Sequence, residues 1–306
     1  MASEDVTLKA RYTVGQEQVQ LSAVHPARAV RLHVPRDVVP HDHSYHEVCL
    51  VLSGTAVHHT ATYNAPLVGG TALVVPPGQV HAISQVSRDL HVINLYYLAE
   101  WLTADLALLW QHPGLVPLFL AGTLFKAVTV PQFQIPAGLV GPITRELDEL
   151  AAENALARPS PVLLRATLLK ALATLTQAQR QSASQPEAAF SQRPEIWHAL
   201  QTIDILIAHN KPLHVPDLAD QVHLSADHLT RLFKAATGSR PNQYFQQRRV
   251  HKACHLLLDP RLSITTIAHA LGYADSPHLT RLFKKYRKLT PREYRRTFIP
   301  GAPAGD

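Results

Sequence analysis

One seven-residue segment, HLTRLFK, occurs twice in this 306-residue chain, at residues 228–234 and at residues 278–284. Self-similarity at a fixed offset indicates that one supersecondary unit is present twice. Upstream of the segment the offset falls from 50 to 49, so the second copy has one extra residue in its turn. The matching pairs outside the segment are Ala219 with Ala268, Pro241 with Pro291, and Tyr244 with Tyr294.

Each copy predicts two short helices around a tight turn. In the first copy, residues 215–222 form the first helix and Ser225 is placed to cap the second. In the second copy, Gly272 permits the turn, Ser276 is placed to cap the second helix, and Pro277 takes its first position. This pattern is typical of a helix-turn-helix, whose second helix enters the major groove of DNA. The side chains expected to face inward are Leu229, Leu232, Phe233, Leu279, Leu282 and Phe283.

Polar residues remain on the outer face of each second helix. Arginine can hydrogen-bond guanine with two donors, and threonine can reach a base edge or a thymine methyl, so Arg231 and Arg281 lead the candidates for base contact. Lysine and helix-start hydroxyl groups suit phosphates. A hydrophilic surface without DNA contact is the alternative. The candidates for base contact are Asp227, Thr230, Arg231, His278, Thr280 and Arg281, and those for phosphate contact are Ser225, Lys234, Ser276, Lys284 and Lys285.

The distribution of charge supports a nucleic-acid partner. Residues 1–189 contain 12 basic and 14 acidic residues, whereas residues 190–306 contain 17 basic and 9 acidic ones. Residues 279–298 alone carry eight basic residues against the single acid Glu293. A solvated helix face also explains such a run, but the duplicated motif favours DNA.

A helix between the two copies sets their spacing. Pro241 begins it and it ends near Asp259, at roughly 17 to 18 residues, or about 26 Å at about 1.5 Å per residue. With the flanking helices added, the recognition helices can lie about 34 Å apart, which is one turn of DNA. One chain is therefore expected to read two successive major grooves of double-stranded DNA.

The stretch from about 196 to 297 resembles the DNA-binding domain of the AraC/XylS family, over about a third of the chain. The resemblance lies in LSADHLTRLFKAATG, in RRVHKACHLLLDPRLSITTIAHALGYADSPHLTRLFKKY and in the terminal TPREYRR. The chain departs from many members at LTP, residues 289–291, where a glycine-containing turn is common. The resemblance implies activation or repression of transcription, often through contact with RNA polymerase.

The N-terminal half reads as short strands separated by glycine and proline turns, which is typical of a small antiparallel barrel or jelly roll. Two motifs stand out in it, HDHSYHE at residues 41–47 and PPGQVH at residues 76–81. The set resembles the paired metal-binding motifs of the cupin superfamily, with Gln85 at a position that is often asparagine. Strands are predicted at residues 48–52, 55–62, 71–75, 80–85 and 90–97.

Three imidazoles and one carboxylate in these motifs suit a divalent transition metal: iron, nickel, manganese, copper or zinc. Side chains two residues apart on a strand share a face, and a paired strand can bring the last histidine to the others. Because the chain has 19 histidines, a metal-free ligand pocket and a purely structural role stay open. The candidate metal ligands are His41, His43, Glu47 and His81.

HDHSYHE followed by INLYY also resembles the sensor domains of rhamnose-responsive and related sugar-responsive AraC members. The resemblance implies a small polar effector, with a sugar as the suggested class, bound inside the barrel. Asn94 and Tyr96 are weaker pocket candidates by strand parity. Effector binding would then change which DNA half-sites the chain occupies.

Two leucine stripes with helical spacing follow the barrel, within residues 136–176. Packing on the barrel explains them, and the family resemblance implies a homodimer formed by such helices. The predicted fold class is α+β with two domains, a cupin-like β-barrel or jelly roll and an all-α domain with two helix-turn-helix motifs. The predicted segments are the barrel at 1–135, the amphipathic helices at 136–176, a linker at 177–193, the DNA-binding domain at 194–298 and a disordered tail at 299–306.

Other classes of protein fit less well. The first twenty residues lack an apolar run, and no later stretch reaches the roughly 18 apolar residues of a membrane span, so we expect no signal peptide and no membrane contact. Cys49 and Cys254 lie in different halves of the chain, which favours a reducing cytoplasm. A direct metal or redox sensor is one rival interpretation. A cupin metalloenzyme fused to a DNA-binding domain is the other. Because an enzyme has no evident use for the duplicated DNA-binding unit, we expect no enzymatic activity.

Overall fold

The computed structural model describes residues 9–22, 25–61, 63–102, 109, 112, 114–119, 132–182 and 193–298. It divides into two compact units. The N-terminal unit contains Met1–Leu98 and Thr129–Gln185, and the C-terminal unit contains Ala99–Val128 and Pro186–Asp306. Residues 99–128, which were predicted as part of the barrel, fall in the C-terminal unit in this division. Within that unit a short helix at Ala99–Leu102 contacts the long helix at Pro241–Leu257.

The described residues of the N-terminal unit contain ten strands in two five-stranded sheets. The first sheet has the order β1-β3-β8-β5-β6 and the second the order β10-β7-β4-β9-β2, with β1 and β3 as a parallel pair. The result is the jelly-roll-like architecture expected from the turn spacing. The strands are β1 Tyr12–Val14, β2 Ala27–His33, β3 Val38–His43, β4 His46–Ser53, β5 Thr55–Thr60, β6 Asn64–Val68, β7 Thr71–Val75, β8 His81–Ser84, β9 His91–Tyr97 and β10 Phe133–Gln134.

The main apolar core of the N-terminal unit lies between the two sheets. The strand β4 is buried at six successive positions, so both of its faces are covered, which explains its unbroken apolar run. Five strands match the predicted ones, whereas β1, β2, β3, β6 and β10 are not among the predicted strands. The buried core residues are Cys49, Val51, Ala56, Leu67, Leu73, Val75, Leu90 and Val92.

The described part of the N-terminal unit also contains two packed helices, α3 Ala137–Asn154 and α4 Pro161–Gln181. Two shorter helices precede them in the chain, α1 Ala99–Leu102 and α2 Leu115–Phe119, and these belong to the C-terminal unit. The helix α3 contacts β2 and β9, and α4 contacts β10. The leucine stripes are buried apart from the half-buried Leu139. The helix α4 includes residues 177–181, the first five of the predicted linker, where Ala178 is still buried. Residues 183–192 and the predicted tail at 299–306 lie outside the described residues.

The described residues 193–298 of the C-terminal unit form seven further helices. The first copy of the repeat is α6–α7, the second is α9–α10, and α8 connects them. An equivalent pair of aromatic rings shows that the copies fold alike. The ring centres of Phe233 and Tyr244 lie 5.4 Å apart with an angle of 74° between the ring planes, and those of Phe283 and Tyr294 lie 5.4 Å apart with an angle of 73°. The helices are α5 Pro194–Ala208, α6 Val215–Gln221, α7 Ala226–Thr237, α8 Pro241–Leu257, α9 Ile264–Ala270, α10 Ser276–Arg287 and α11 Pro291–Phe298.

The two recognition helices, α7 and α10, are capped at equivalent positions. Ser225 caps α7 as predicted, because its Oγ accepts the backbone N–H of His228 at 3.3 Å. The predicted cap at Ser276 is wrong. The cap of α10 is Asp275, whose Oδ1 accepts the backbone N–H of His278 at 2.7 Å, and Ser276 is already the first helical residue. Pro277 accordingly takes the second position rather than the first.

Candidate functional site

The candidate ligand residues of the barrel come from both sheets. His41 and His43 end β3, His81 begins β8, and the two strands pair with His41 directly opposite His81. Glu47 reaches the same region from β4 in the other sheet. The predicted strand parity therefore brings these side chains into the space between the sheets.

Three of the four residues form a compact cluster. His43, Glu47 and His81 are buried, and each offers one ligand atom, all within 4.8 Å of one another. His41 is not part of this set, and its Nδ1 donates to the carbonyl oxygen of Val39 at 3.1 Å. Its ring instead packs against that of His81, with centres 4.4 Å apart.

The protonation of the cluster follows from its burial. The Nδ1 of His43 lies 2.7 Å from the carbonyl oxygen of Tyr45, which can only accept, so Nδ1 carries the proton and Nε2 keeps its lone pair. Burial lowers the pKa of His43 to about 4 and raises the pKa of Glu47 to about 7. Nε2 of His43 lies 3.5 Å from Oε2 of Glu47 and has no hydrogen-bond partner among the described residues.

Of the two pocket candidates on β9, Asn94 binds the carboxyl group of Glu47 and Tyr96 accepts a hydrogen bond from Asn94. Asn94 Nδ2 donates to Glu47 Oε1 at 2.8 Å and to the hydroxyl of Tyr96 at 3.0 Å. Asn94 and Tyr96 are both buried, and burial raises the pKa of Tyr96 so that its hydroxyl stays protonated. One carboxyl oxygen is thus fixed by Asn94 while the other faces His43.

His58 on β5 is a site residue that the sequence motifs missed. Its side chain is 1% exposed, its ring centre lies 5.6 Å from that of His81, and burial lowers its pKa to about 4. Neither ring nitrogen of His58 or of His81 has a hydrogen-bond partner among the described residues. Ala56, His58 and Thr60 alternate along β5 and are all buried, so His58 lies on the inward face of its strand.

Neutral imidazoles with unpartnered nitrogens are costly in a protein interior unless something binds to them. The arrangement can therefore hydrogen-bond the hydroxyl groups of a polar ligand, or donate lone pairs to a divalent cation. The donor set passes the chemical test for such a cation, because the unpartnered Nε2 of His43, a nitrogen of His81 and an oxygen of Glu47 converge.

The recognition helices present the predicted polar residues outward. Leu229, Phe233, Leu279 and Phe283 are buried, and Leu232 and Leu282 are half-buried. Four members of the predicted set are half-buried: Thr230, Ser276, His278 and Thr280. Tyr286, which was not in the predicted set, is also half-buried. The exposed members of the predicted set are Ser225, Asp227, Arg231, Lys234, Arg281, Lys284 and Lys285.

The turns inside the two copies need a left-handed residue at the same place. His223 has φ of 56° in the first copy, and Gly272 has φ of 72° at the equivalent position of the second. A Cβ atom at Gly272 would lie 2.2 Å from Oδ1 of Asn210, so a side chain there must displace Asn210.

Several basic residues hold the framework together rather than facing solvent. Arg248 on α8 bonds Asp204 on α5 with two donors, at 2.9 and 2.8 Å. The Arg249 guanidinium lies 3.8 Å from the ring centre of Tyr273 and donates to the carbonyl oxygen of Leu271. Arg295, part of the basic run, donates to the carbonyl oxygens of Leu257 and Leu262. The connecting helix α8 is therefore fixed to its neighbours by buried arginines.

Comparison with known families decides the identity. Residues 28–192 match the family described as the AraC-like ligand binding domain, which covers more than half of the chain, and residues 218–297 match a helix-turn-helix domain. The chain belongs to the AraC family. It is a DNA-binding transcription regulator with a ligand-binding N-terminal domain, and the motif-based assignment of the family is confirmed.

Curated relatives of this AraC-type regulator span nearly its whole length. It is 23% identical over 280 residues to the HTH-type transcriptional activator RhaR of Mannheimia succiniciproducens, covering 91% of this chain and 95% of the relative. It is 26% identical over 265 residues to the HTH-type transcriptional activator RhaS of Escherichia coli, covering 85% and 88%. These relatives are transcriptional activators, which points to a regulator rather than an enzyme.

Solved structures resemble parts or most of the chain. An AraC-type DNA-binding domain from Chromobacterium violaceum is 29% identical, with a TM-score of 0.34, covering 37% of this chain and 98% of that one. Fatty-acid-bound ToxT from Vibrio cholerae is 11% identical, with a TM-score of 0.44, covering 90% and 96%.

Among the described residues, no helix combines the length and the apolar character required to cross a membrane.

Proposed function

We propose that this AraC-type regulator binds a small polar effector between the sheets of its barrel, and that the effector changes how the two helix-turn-helix copies occupy DNA. The observation that carries the proposal is the convergence of His43, Glu47 and His81 in a buried space. A sugar is the proposed class of effector. The resemblance of HDHSYHE and INLYY to the sensor domains of sugar-responsive members supports this class.

The chemistry of the pocket supports an uncharged polyhydroxyl ligand. Burial lowers the pKa of His43, His58 and His81, so these rings are neutral at pH 7, and each can accept one hydrogen bond. Asn94 Oδ1 is a further acceptor without a hydrogen-bond partner among the described residues. Hydroxyl groups can donate to such acceptors without bringing charge into the interior.

The test is a calorimetric titration of the full chain with a panel of pentoses, hexoses and deoxyhexoses, followed by DNA-binding measurements with each sugar that binds. We expect at least one sugar to bind and to shift DNA affinity. A set of sugars that bind without any effect on DNA affinity would overturn the regulatory part of the proposal. The His81→Ala variant should lose binding, whereas the control His223→Ala, in the C-terminal unit, should retain it.

A bound divalent metal is a second candidate, held by His43, Glu47 and His81, with His41 beside them. A metal there would supply a Lewis-acidic centre to which effector hydroxyl groups could bind. Asn94 orients Glu47, and Tyr45 fixes the tautomer of His43. Elemental analysis together with native mass measurement of the purified chain tests this candidate. Titration of DNA binding with each metal alone separates a direct metal sensor from an effector sensor.

We also propose a homodimer and contact with RNA polymerase. At the start of α4, Val162 is 74% exposed and Leu163 is 53% exposed, and this apolar surface could be covered by a second copy. The native mass measurement reports the dimer directly. Transcription reconstituted with purified RNA polymerase on a promoter carrying the bound sequence reports the contact and the sign of regulation.

The predicted DNA contacts complete the proposal. Arg231 and Arg281 lie exposed on equivalent faces of α7 and α10, and we propose that they read bases while Lys234, Lys284 and Lys285 bind phosphates.

A further inference from the structure

The two copies of the helix-turn-helix differ sharply in charge. Residues 226–246 contain three basic and one acidic residue, whereas the equivalent residues 276–296 contain eight basic and one acidic residue. The basic residues Arg231 and Lys234 have counterparts in Arg281 and Lys284, so the difference arises elsewhere. Both copies therefore share the recognition chemistry, and only the second adds a large positive charge.

Four exposed residues account for most of the difference, and we call them the basic face. They lie at the end of α10 and along α11, where the first copy has residues of no charge. The basic face consists of Lys285, Lys288, Arg292 and Arg296, and the equivalent residues of the first copy are Ala235, Gly238, Asn242 and Gln246.

The single acid in this region does little to offset the basic face. Glu293 is committed to capping α11, because its Oε2 accepts the N–H and the hydroxyl of Thr290 at 2.7 and 2.8 Å. Those hydrogen bonds lower its pKa, and Lys284 and Arg296 lower it further by charge attraction, so the acid lies among the cations and leaves them in large excess.

The helix before each turn also differs in charge between the copies, and here the first copy carries additional acidic residues. In a helix-turn-helix this helix crosses the DNA backbone. In the first copy it exposes Asp217 and Asp220, and at the equivalent positions of the second copy stand Thr266 and His269. Carboxylates facing phosphates are repelled, so α6 is a poor backbone-binding element while α9 carries no such penalty.

We propose that the basic face makes the second copy the sequence-independent anchor of the regulator on the DNA backbone, and that the near-neutral first copy contributes mainly to the choice of sequence. The proposal rests on the DNA-binding function of the family and adds a division of labour between its two copies. Phosphate groups flanking the major groove that α10 enters are the ligands of the basic face.

The test converts the basic face to the residues of the first copy, in the variant K285A/K288G/R292N/R296Q of the full chain. Binding to a duplex of random sequence is measured by fluorescence anisotropy between roughly 50 and 200 mM salt, where each phosphate contact contributes about 0.9 to the slope of log K against log salt. Because the variant removes four phosphate contacts, we expect the slope to fall in magnitude by about 3.6. The matched control in the first copy, Lys234→Gln, should lower it by about 1 at most.

The four single variants are measured alongside, so that misfolding of the quadruple variant leaves the test intact. Each should lower the slope by about 1. Selection from random duplexes should return the same preferred sequence for the wild type and the quadruple variant. An unchanged slope, as expected if the basic face served an acidic protein surface instead, would overturn the proposal, and so would an altered sequence preference. A wild type that fails to bind DNA would contradict the family function rather than this division of labour.

Discussion

The Nε2 atom of His43 and the Oε2 atom of Glu47 face each other at 3.5 Å across the space between the two sheets. His43 donates through its other nitrogen, so a neutral imidazole presents a lone pair to a carboxyl group. A lone pair facing a carboxylate is unfavourable, whereas a cation between them, or the proton that the raised pKa of Glu47 retains, makes the contact attractive. This pair is therefore the centre of the candidate ligand site.

The variant Glu47→Gln should lose bound metal while keeping its fold, because it removes the only carboxylate from the cluster and preserves its shape. We expect metal content to fall at least about tenfold, in keeping with the loss of a primary ligand. Elemental analysis of the purified variant checks this. Glu149→Gln, at an exposed carboxyl on α3, is the matched control and should retain the wild-type content. Equal metal content in both variants would exclude Glu47 as a ligand.

Replacing His58 by Phe should stabilise the ligand-free chain by about 1 kcal/mol, because both buried ring nitrogens lack hydrogen-bond partners among the described residues. The neighbouring His59 gives the opposite expectation. It bonds Asn64 and Ser84 at 2.8 and 2.7 Å, so His59→Phe should destabilise by about 1 kcal/mol. Chemical denaturation of the metal-free, effector-free proteins measures both. If His58→Phe instead lowered the free energy of unfolding, the His58 imidazole would be stabilising the ligand-free fold, which contradicts this prediction.

Two adjacent residues at the start of the second recognition helix give a test of its capping. Asp275→Ala should destabilise the C-terminal unit by about 1 kcal/mol, because it removes the acceptor for the backbone N–H of His278. Ser276→Ala should change stability by less than about 0.5 kcal/mol. Thermal unfolding of the two variants distinguishes them. A larger effect at Ser276 would restore the cap assigned from the sequence.

Lys288 ends α10 in the left-handed region, with φ of 63°, where the first copy has Gly238 with φ of 73°. Lys288→Gly should therefore stabilise the C-terminal unit by about 1 kcal/mol. Lys285→Gly, inside the same helix, should destabilise it by a similar amount, about 1 kcal/mol. The same unfolding measurement reports both signs, and destabilisation by Lys288→Gly would mean that its side chain stabilises the helix end.

Local periodicity was enough to predict the two helix-turn-helix copies of the C-terminal unit. The repeat placed both turns, and the burial of Leu229 and Phe233 follows from helical spacing alone. The error at Ser276 came from ignoring the offset of 50, which matches Ser225 with Asp275. Either residue can cap a helix, so the residue type did not decide between them.

The barrel depended more on contacts between distant residues. Its five strands with clear apolar runs were predictable, but β3 contains Pro40 and a register shift between Val38 and His41, which obscure the alternation. The pairing of β3 with β8 places His41 opposite His81, yet His41 lies outside the cluster that His81 forms with His43 and Glu47. The inward position of His58 depends on the pairing of β5 with β8, which sequence spacing alone does not fix.

We propose that one chain reads two successive major grooves through Arg231 and Arg281. The most direct test is a footprint of the purified protein on the sequence that it selects from random duplexes. We predict two protected segments about one turn of DNA apart, roughly 10 base pairs, with Arg231→Ala weakening one and Arg281→Ala the other. A single protected segment, or protection unchanged in both variants, would contradict the account.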